Sequence, residues 1–121
     1  MCEVLRCFAP LSGHADELMR RRDELMSALE AAGWDGQWYR RAYYDDGTPL
    51  GSATGEECRI DLLSQAWAAL AGLDARRVQL ALDSAWDMLV DEEVGIVRLL
   101  TPPFDDGHAQ PGYIKGYLPG I

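Results

Sequence analysis

Apolar residues recur along the chain at helical spacing, separated by stretches where the spacing breaks down. The clearest run is 14–33, HADELMRRRDELMSALEAAG. It sets Leu18, Leu25, Leu29 and Ala32 on one stripe with Met19 and Met26 beside it, and fills the rest with Arg20, Arg21, Asp23, Glu24 and Glu30. That pattern predicts an amphipathic helix, and Gly33 stands where a left-handed residue would close it. A short helix over Glu3–Ala9 precedes it and stops before Pro10. A third begins at Asp61, a good N-cap, and runs through LLSQAWAALAG to Gly72. Asp74 caps a fourth, whose buried face is Val78, Leu82, Ala85 and Leu89. Between the second and third helices, QWYRRAYY is aromatic and partly alternating and DDG is a turn signal, so a β-hairpin or extended loop is expected near 37–50. DEEVG turns the chain, IVRLL reads as a short strand, and TPPFDDGHAQPGYIKGYLPGI is a long loop. The fold class is mainly α, in one partial domain over 1–121. Helical hairpins of an α/α toroid fit the pattern, and an ordinary helical bundle fits almost as well.

Composition narrows the class. A formal charge of −9 over 121 residues argues against nucleic acid as a partner and disfavours an anionic membrane surface. No run approaches the ~18 apolar residues of a membrane-spanning helix, and MCEVLRCFAP is too short and too charged for a signal peptide. Cys2, Cys7 and Cys58 lack any CxxC spacing and read as reduced, buried thiols, so no metal is expected. These features point to the cytoplasm.

Chemistry concentrates in WDGQWYRRAYYDDGTPLGS, residues 34–52. An Asp-Gly pair after a helix, Asp35 and Gly36, is ordinarily a turn. Trp34 and Trp38 offer rings for stacking on a sugar, or for packing in a core. Arg41 could hydrogen-bond sugar hydroxyls or present a fork to phosphate, with Arg40 facing the opposite way in an extended segment. Glu56 and Glu57 suit the positive end of the third helix, Arg59 pairs with one of them, and Gln65 reads as a solvated polar residue. His14 and His108 read as surface residues.

The segments WDGQWYRRAYYDDGTPLGS, EECRID, SQAW, LLTPPFD and PGYIKGYLPG, in that order, resemble the glycoside hydrolase family 94 phosphorylases. The likeness is to the branch acting on β-1,2-glucans, including the phosphorylase-like domain of cyclic β-1,2-glucan synthases, and it covers nearly the whole chain. The resemblance implies an (α/α)6 toroid, of which four helices are about a third, with its site at the mouth formed by the loops. It implies inverting phosphorolysis of a β-glucan oligosaccharide, with inorganic phosphate as co-substrate and no other cofactor. It makes Asp35 the general acid, in a setting between two indoles where burial would keep a proton on the carboxyl. It favours Trp34 and Trp38 as sugar contacts and sets Tyr113, Lys115 and Tyr117 near the sugar-binding mouth, while Arg41 is the arginine that alternation leaves for substrate binding. The family's later glutamate, histidine and phosphate-loop segments are not matched here, so the chain reads as a fragment whose exposed helix faces invite self-association.

Overall fold

The computed structural model describes residues 1–105, 107–108 and 110–116. Helix α1 (Cys2–Phe8) passes through a 3-10 turn at Ala9–Leu11, with Pro10 in its first turn, into α2 (Ala15–Ala28). The last turn of that second helix widens to a π-turn over Leu29–Gly33. The chain then leaves directly into an extended Trp34, so Gly33 does not take the left-handed role its position suggested. Strands β1 (Ala42–Tyr43) and β2 (Pro49–Leu50) form the hairpin expected near 37–50. Its DDG turn closes through the Gly47 N–H to Tyr44 O at 2.9 Å and the Thr48 N–H to Asp46 Oδ1 at 2.8 Å.

Strand β3 (Ile60–Asp61) leads into α3 (Leu62–Ala71), where Asp61 caps by accepting from the Leu63 N–H at 2.8 Å. Gly72, with φ 70° and ψ 42°, ends the helix in the left-handed conformation. Asp74 caps α4 (Ala75–Leu89) through the Arg77 N–H at 2.9 Å. Strands β4 (Val90–Asp91) and β5 (Ile96–Val97) form a second hairpin across the DEEVG turn. The predicted IVRLL strand is thus divided, because Leu100–Thr101 forms β6 on a different partner. β6 pairs antiparallel with β3, and the pairing continues outward through Cys58 N–H to Pro102 O and Leu62 N–H to Leu99 O, both 2.8 Å. A 3-10 turn spans Gly112–Gly116.

Helix α1 packs on α2 and α3 on α4, with α1 also touching α3. The described residues are therefore mainly helical, with three two-stranded antiparallel ribbons. They contain two apolar clusters. One gathers Trp38, Tyr39 and Ile60 with Ala68, Ala81 and Leu89 from the last two helices, and the other joins Leu50 and Cys58 to Leu100 and Phe104. On α4 the buried positions are Ala81, Ala85 and Leu89, whereas Leu82, expected inside, is exposed. Small alanines let α4 approach α3 closely and turn its bulkier Leu82 outward. Among the described residues, no helix is long and apolar enough to cross a membrane.

Candidate functional site

Residues 33–40 form a tight loop held by its own backbone. The Asp35 N–H donates to Trp38 O at 2.9 Å, the Arg40 N–H to Gly33 O at 2.7 Å, and Trp34 bridges to Tyr39. Gly36 turns the loop with a φ of +99°, as the Asp-Gly pair suggested. The hairpin is drawn against this loop at Gly51, whose φ is +77° and where an added Cβ would lie 2.7 Å from the Arg41 nitrogen. Only glycine permits that approach, and it delivers Ser52, 1 % exposed, to the Asp35 carboxylate.

Asp35 is the centre of the cluster. Arg40 Nε donates to Oδ1 at 2.7 Å, the Ser52 hydroxyl lies 3.0 and 3.1 Å from the two oxygens, and the Ala53 N–H donates to Oδ2 at 2.7 Å. The side chain is 6 % exposed. Arg40 in turn donates to the Tyr43 hydroxyl at 2.7 Å and to the Ala32 carbonyl at 3.2 Å, and lies over the Tyr43 ring. Hydrogen bonds to Tyr43 and then to Asp35 raise the pKa of Arg40 further, so it is a fixed cation. The setting is thus polar and filled with donors rather than bracketed by two indoles.

Alternation puts the two arginines on opposite sides, and the one beside Asp35 is Arg40. Arg41 Nη1 instead pairs at 2.7 Å with Asp61, which is fully buried. Burial pushes the Asp61 carboxyl upward, and Arg41 opposes that shift. Trp38 belongs to the core: it is 5 % exposed and its indole N–H donates to the carbonyls of Gly51 (3.1 Å) and Arg59 (2.9 Å), so it offers no ring to a ligand. Trp34 is half-buried, edge-on to Tyr39 at 5.0 Å with the Arg77 guanidinium 5.2 Å over its ring. Behind it, Glu30 accepts from the Tyr39 hydroxyl at 3.1 Å, from the Asp74 N–H at 2.7 Å and from Arg77 at 2.7 Å, tying the end of α2 to the start of α4. Burial first, then Glu30, holds the Tyr39 hydroxyl well above the ordinary tyrosine pKa.

Tyr113 and Lys115 sit on the C-terminal 3-10 turn, Tyr113 almost fully exposed and Lys115 donating to the Gly107 carbonyl at 2.8 Å. Tyr117 lies outside the described residues. Two expectations about flanking polar residues are corrected. Gln65 is fully buried rather than solvated, because it bonds the Tyr39 N–H and C=O and the Asp61 carbonyl. Glu57 accepts from the N–H groups of Asp105 and Gly107, while Arg59 donates to the Gly55 carbonyl. Ser52 escaped the sequence reading, for which a serine leaving the hairpin in GSATG was the available signal, and Arg40 was weighed there but set aside in favour of Arg41. Among the described residues, no three His, Cys, Asp or Glu side chains gather as a metal site.

A family model described as the catalytic domain of the glycosyl hydrolase 94 superfamily matches residues 10–121. Cyclic beta-(1,2)-glucan synthase NdvB from Rhizobium meliloti (strain 1021) is 53% identical over 103 residues, covering 84% of this chain and 4% of that protein. Solabiose phosphorylase from Paenibacillus borealis is 38% identical over 110 residues, 90% of this chain and 14% of the relative. A 3-O-beta-D-glucopyranosyl-beta-D-glucuronide phosphorylase from the same organism is 37% identical over 108 residues, 88% of this chain and 14% of its own length. The chain therefore spans only a small part of each of these relatives.

Proposed function

The chain belongs to the glycosyl hydrolase 94 superfamily, and from that premise we propose that it builds part of the catalytic domain of a carbohydrate phosphorylase or glycosyltransferase. The domain is an (α/α)6 toroid, the substrate a β-linked glucan, preferentially β-1,2, and inorganic phosphate the co-substrate. In the inverting reaction a phosphate oxygen attacks the anomeric carbon, the glycosidic bond breaks, and the leaving oxygen takes a proton, giving glucose 1-phosphate and a shortened glucan. The observation that carries the linkage is the 53% identity to the β-1,2-glucan synthase, against 38% and 37% for the two phosphorylases.

Within that domain the described residues support a different role for Asp35 from the one the resemblance implied, and the same role for Tyr113 and Lys115. Asp35 enters as a positioning residue. Arg40, Ser52 and Ala53 all donate into its buried carboxylate, which is the arrangement of a clamp on the hairpin rather than of an acid open to a leaving group. Tyr113, 95 % exposed, is the ring most open to a sugar face, with Lys115 two residues on as a hydroxyl or phosphate donor.

The test is titration of the chain with β-1,2-, β-1,3- and β-1,4-linked gluco-oligosaccharides, followed by amide chemical shifts. One wall of a site should give a dissociation constant of about millimolar order, with shifts at 112–116 and a preference for the β-1,2 series. No response to any oligomer, or an equal response to all three, would count against the reading.

A further inference from the structure

We propose that Glu57 is a positioning residue for the segment that carries Tyr113 and Lys115. This rests on the reading of that segment as the sugar-facing wall. One carboxylate oxygen, Oε1, accepts the N–H groups of both Asp105 (2.9 Å) and Gly107 (2.7 Å), some fifty residues later in the chain. The other side of the same Gly107 residue, its carbonyl, accepts from Lys115 Nζ at 2.8 Å. Gly107 therefore relays the position of Glu57 to the turn on which Tyr113 stands.

Four further features show that the relay is built into the fold. A Cβ added at Gly107 would overlap the Glu57 carboxylate, so the contact requires glycine. Glu57 is followed by Cys58, fully buried at a φ of +46°, a conformation that residues other than glycine rarely adopt and that the surrounding structure must hold. From Cys58 the backbone is fastened to Pro102 at 2.8 Å, so both ends of the clip, 57 and 105, grow from the same ribbon. Ile114 packs on the apolar cluster of Leu50, Cys58, Leu100 and Phe104. The clip thus fixes a Pro- and Gly-rich segment whose described residues hold no element longer than a 3-10 turn.

The experiment compares wild type with Glu57→Ala, Glu57→Gln, Gly107→Ala and the Glu57→Ala/Gly107→Ala double variant. Hydrogen exchange is read at the amides of 105 and 107, and affinity is read for a β-1,2-linked gluco-oligosaccharide. Because both N–H groups converge on one oxygen, a glutamine amide oxygen can accept both, whereas alanine can accept neither. Glu57→Ala should speed exchange at the two amides about tenfold and weaken sugar binding by a similar factor, with Glu57→Gln recovering most of both. Gly107→Ala should evict the carboxylate and reproduce Glu57→Ala, while adding nothing in the double variant. Unchanged exchange in α3 and α4 shows that the fold is intact. Exchange at 105 and 107 that ignores Glu57→Ala, or an additive double variant, would overturn the clip. Loosened amides with undiminished affinity would overturn the positioning role. A wild-type chain that binds no sugar while its clip responds would instead overturn the reading on which the proposal rests.

Discussion

Gln65 does for the Tyr39 peptide what a neighbouring strand would do. Its amide oxygen accepts the Tyr39 N–H at 2.8 Å, and its nitrogen donates to the Tyr39 and Asp61 carbonyls at 3.0 and 2.8 Å. A buried amide with such complete pairing is stabilising, whereas the same group unpaired is expensive. Asp35 follows the same logic with a charge. Asp35→Asn keeps the shape but loses the charge-assisted bond from Arg40, and is expected to destabilise the chain by about 2 kcal/mol, read as a lower midpoint in urea. An unchanged midpoint, with turnover abolished when the same change is made in an active relative, would return Asp35 to the proton-donor role. Cys58 carries the pH prediction. Burial first, then the charge of Asp61, pushes its thiol up to about 12 from an ordinary value near 9. The unfolded thiol ionises above pH 9 while the folded one resists, so its contribution is intact below pH 9 and is lost as pH climbs toward 12. That contribution is worth at most about 4 kcal/mol. Melting temperature should therefore fall above pH 9, and Cys58→Ala should flatten that fall; an identical slope in the variant would refute the assignment.

At the scale of elements, the two C-terminal helices are set by their ends. Asp61 and Asp74 cap α3 and α4, and Gly72 reverses the chain between them. Nothing lies within 4 Å of a Cβ built at Gly72, so an alanine there meets only the strain of the left-handed conformation. Gly72→Ala is expected to cost about 1 kcal/mol, seen as a lower denaturant midpoint with an unchanged slope. Helix α2 differs, since it has no buried residue and its Leu25 and Leu29 are exposed. Its stripe is a true amphipathic face, half-buried at Leu18, Met19 and Met26 and open at Leu25 and Leu29.

At the scale of the molecule, the open part of that face continues onto α3. Leu63, Trp67 and Leu70, four and three residues apart, are 41, 61 and 63 % exposed. Leu63 and Trp67, with Leu25, Leu29 and Leu73, line an open groove of about 490 Å³. Leu82 and Trp86 form a second exposed pair on α4. Apolar surface of this extent favours association, against the mutual repulsion of a chain with net charge −9. Light scattering should show mass rising with concentration and with salt, and Trp67→Lys with Leu70→Lys should restore the monomer; a wild-type monomer at every concentration would contradict the expectation.

What the sequence determined by itself was whatever depends on neighbours along the chain. The four helices, the Asp61 and Asp74 caps, the Gly72 stop and the DDG hairpin all follow from residues within a turn or two of one another. The likeness to glycosyl hydrolase 94 was legible for the same reason, because it lies in contiguous motifs. The tertiary structure decided the partners. That Arg40 and not Arg41 reaches Asp35, that Trp38 and Gln65 are buried, and that Glu57 holds residue 107 are contacts across 5 to 50 positions of chain. Periodicity says that two side chains face opposite ways, but the direction of the core is set only when separate elements pack. Leu82 shows the limit within one helix: its stripe was right for a helix and its exposure was set by how closely α3 could approach.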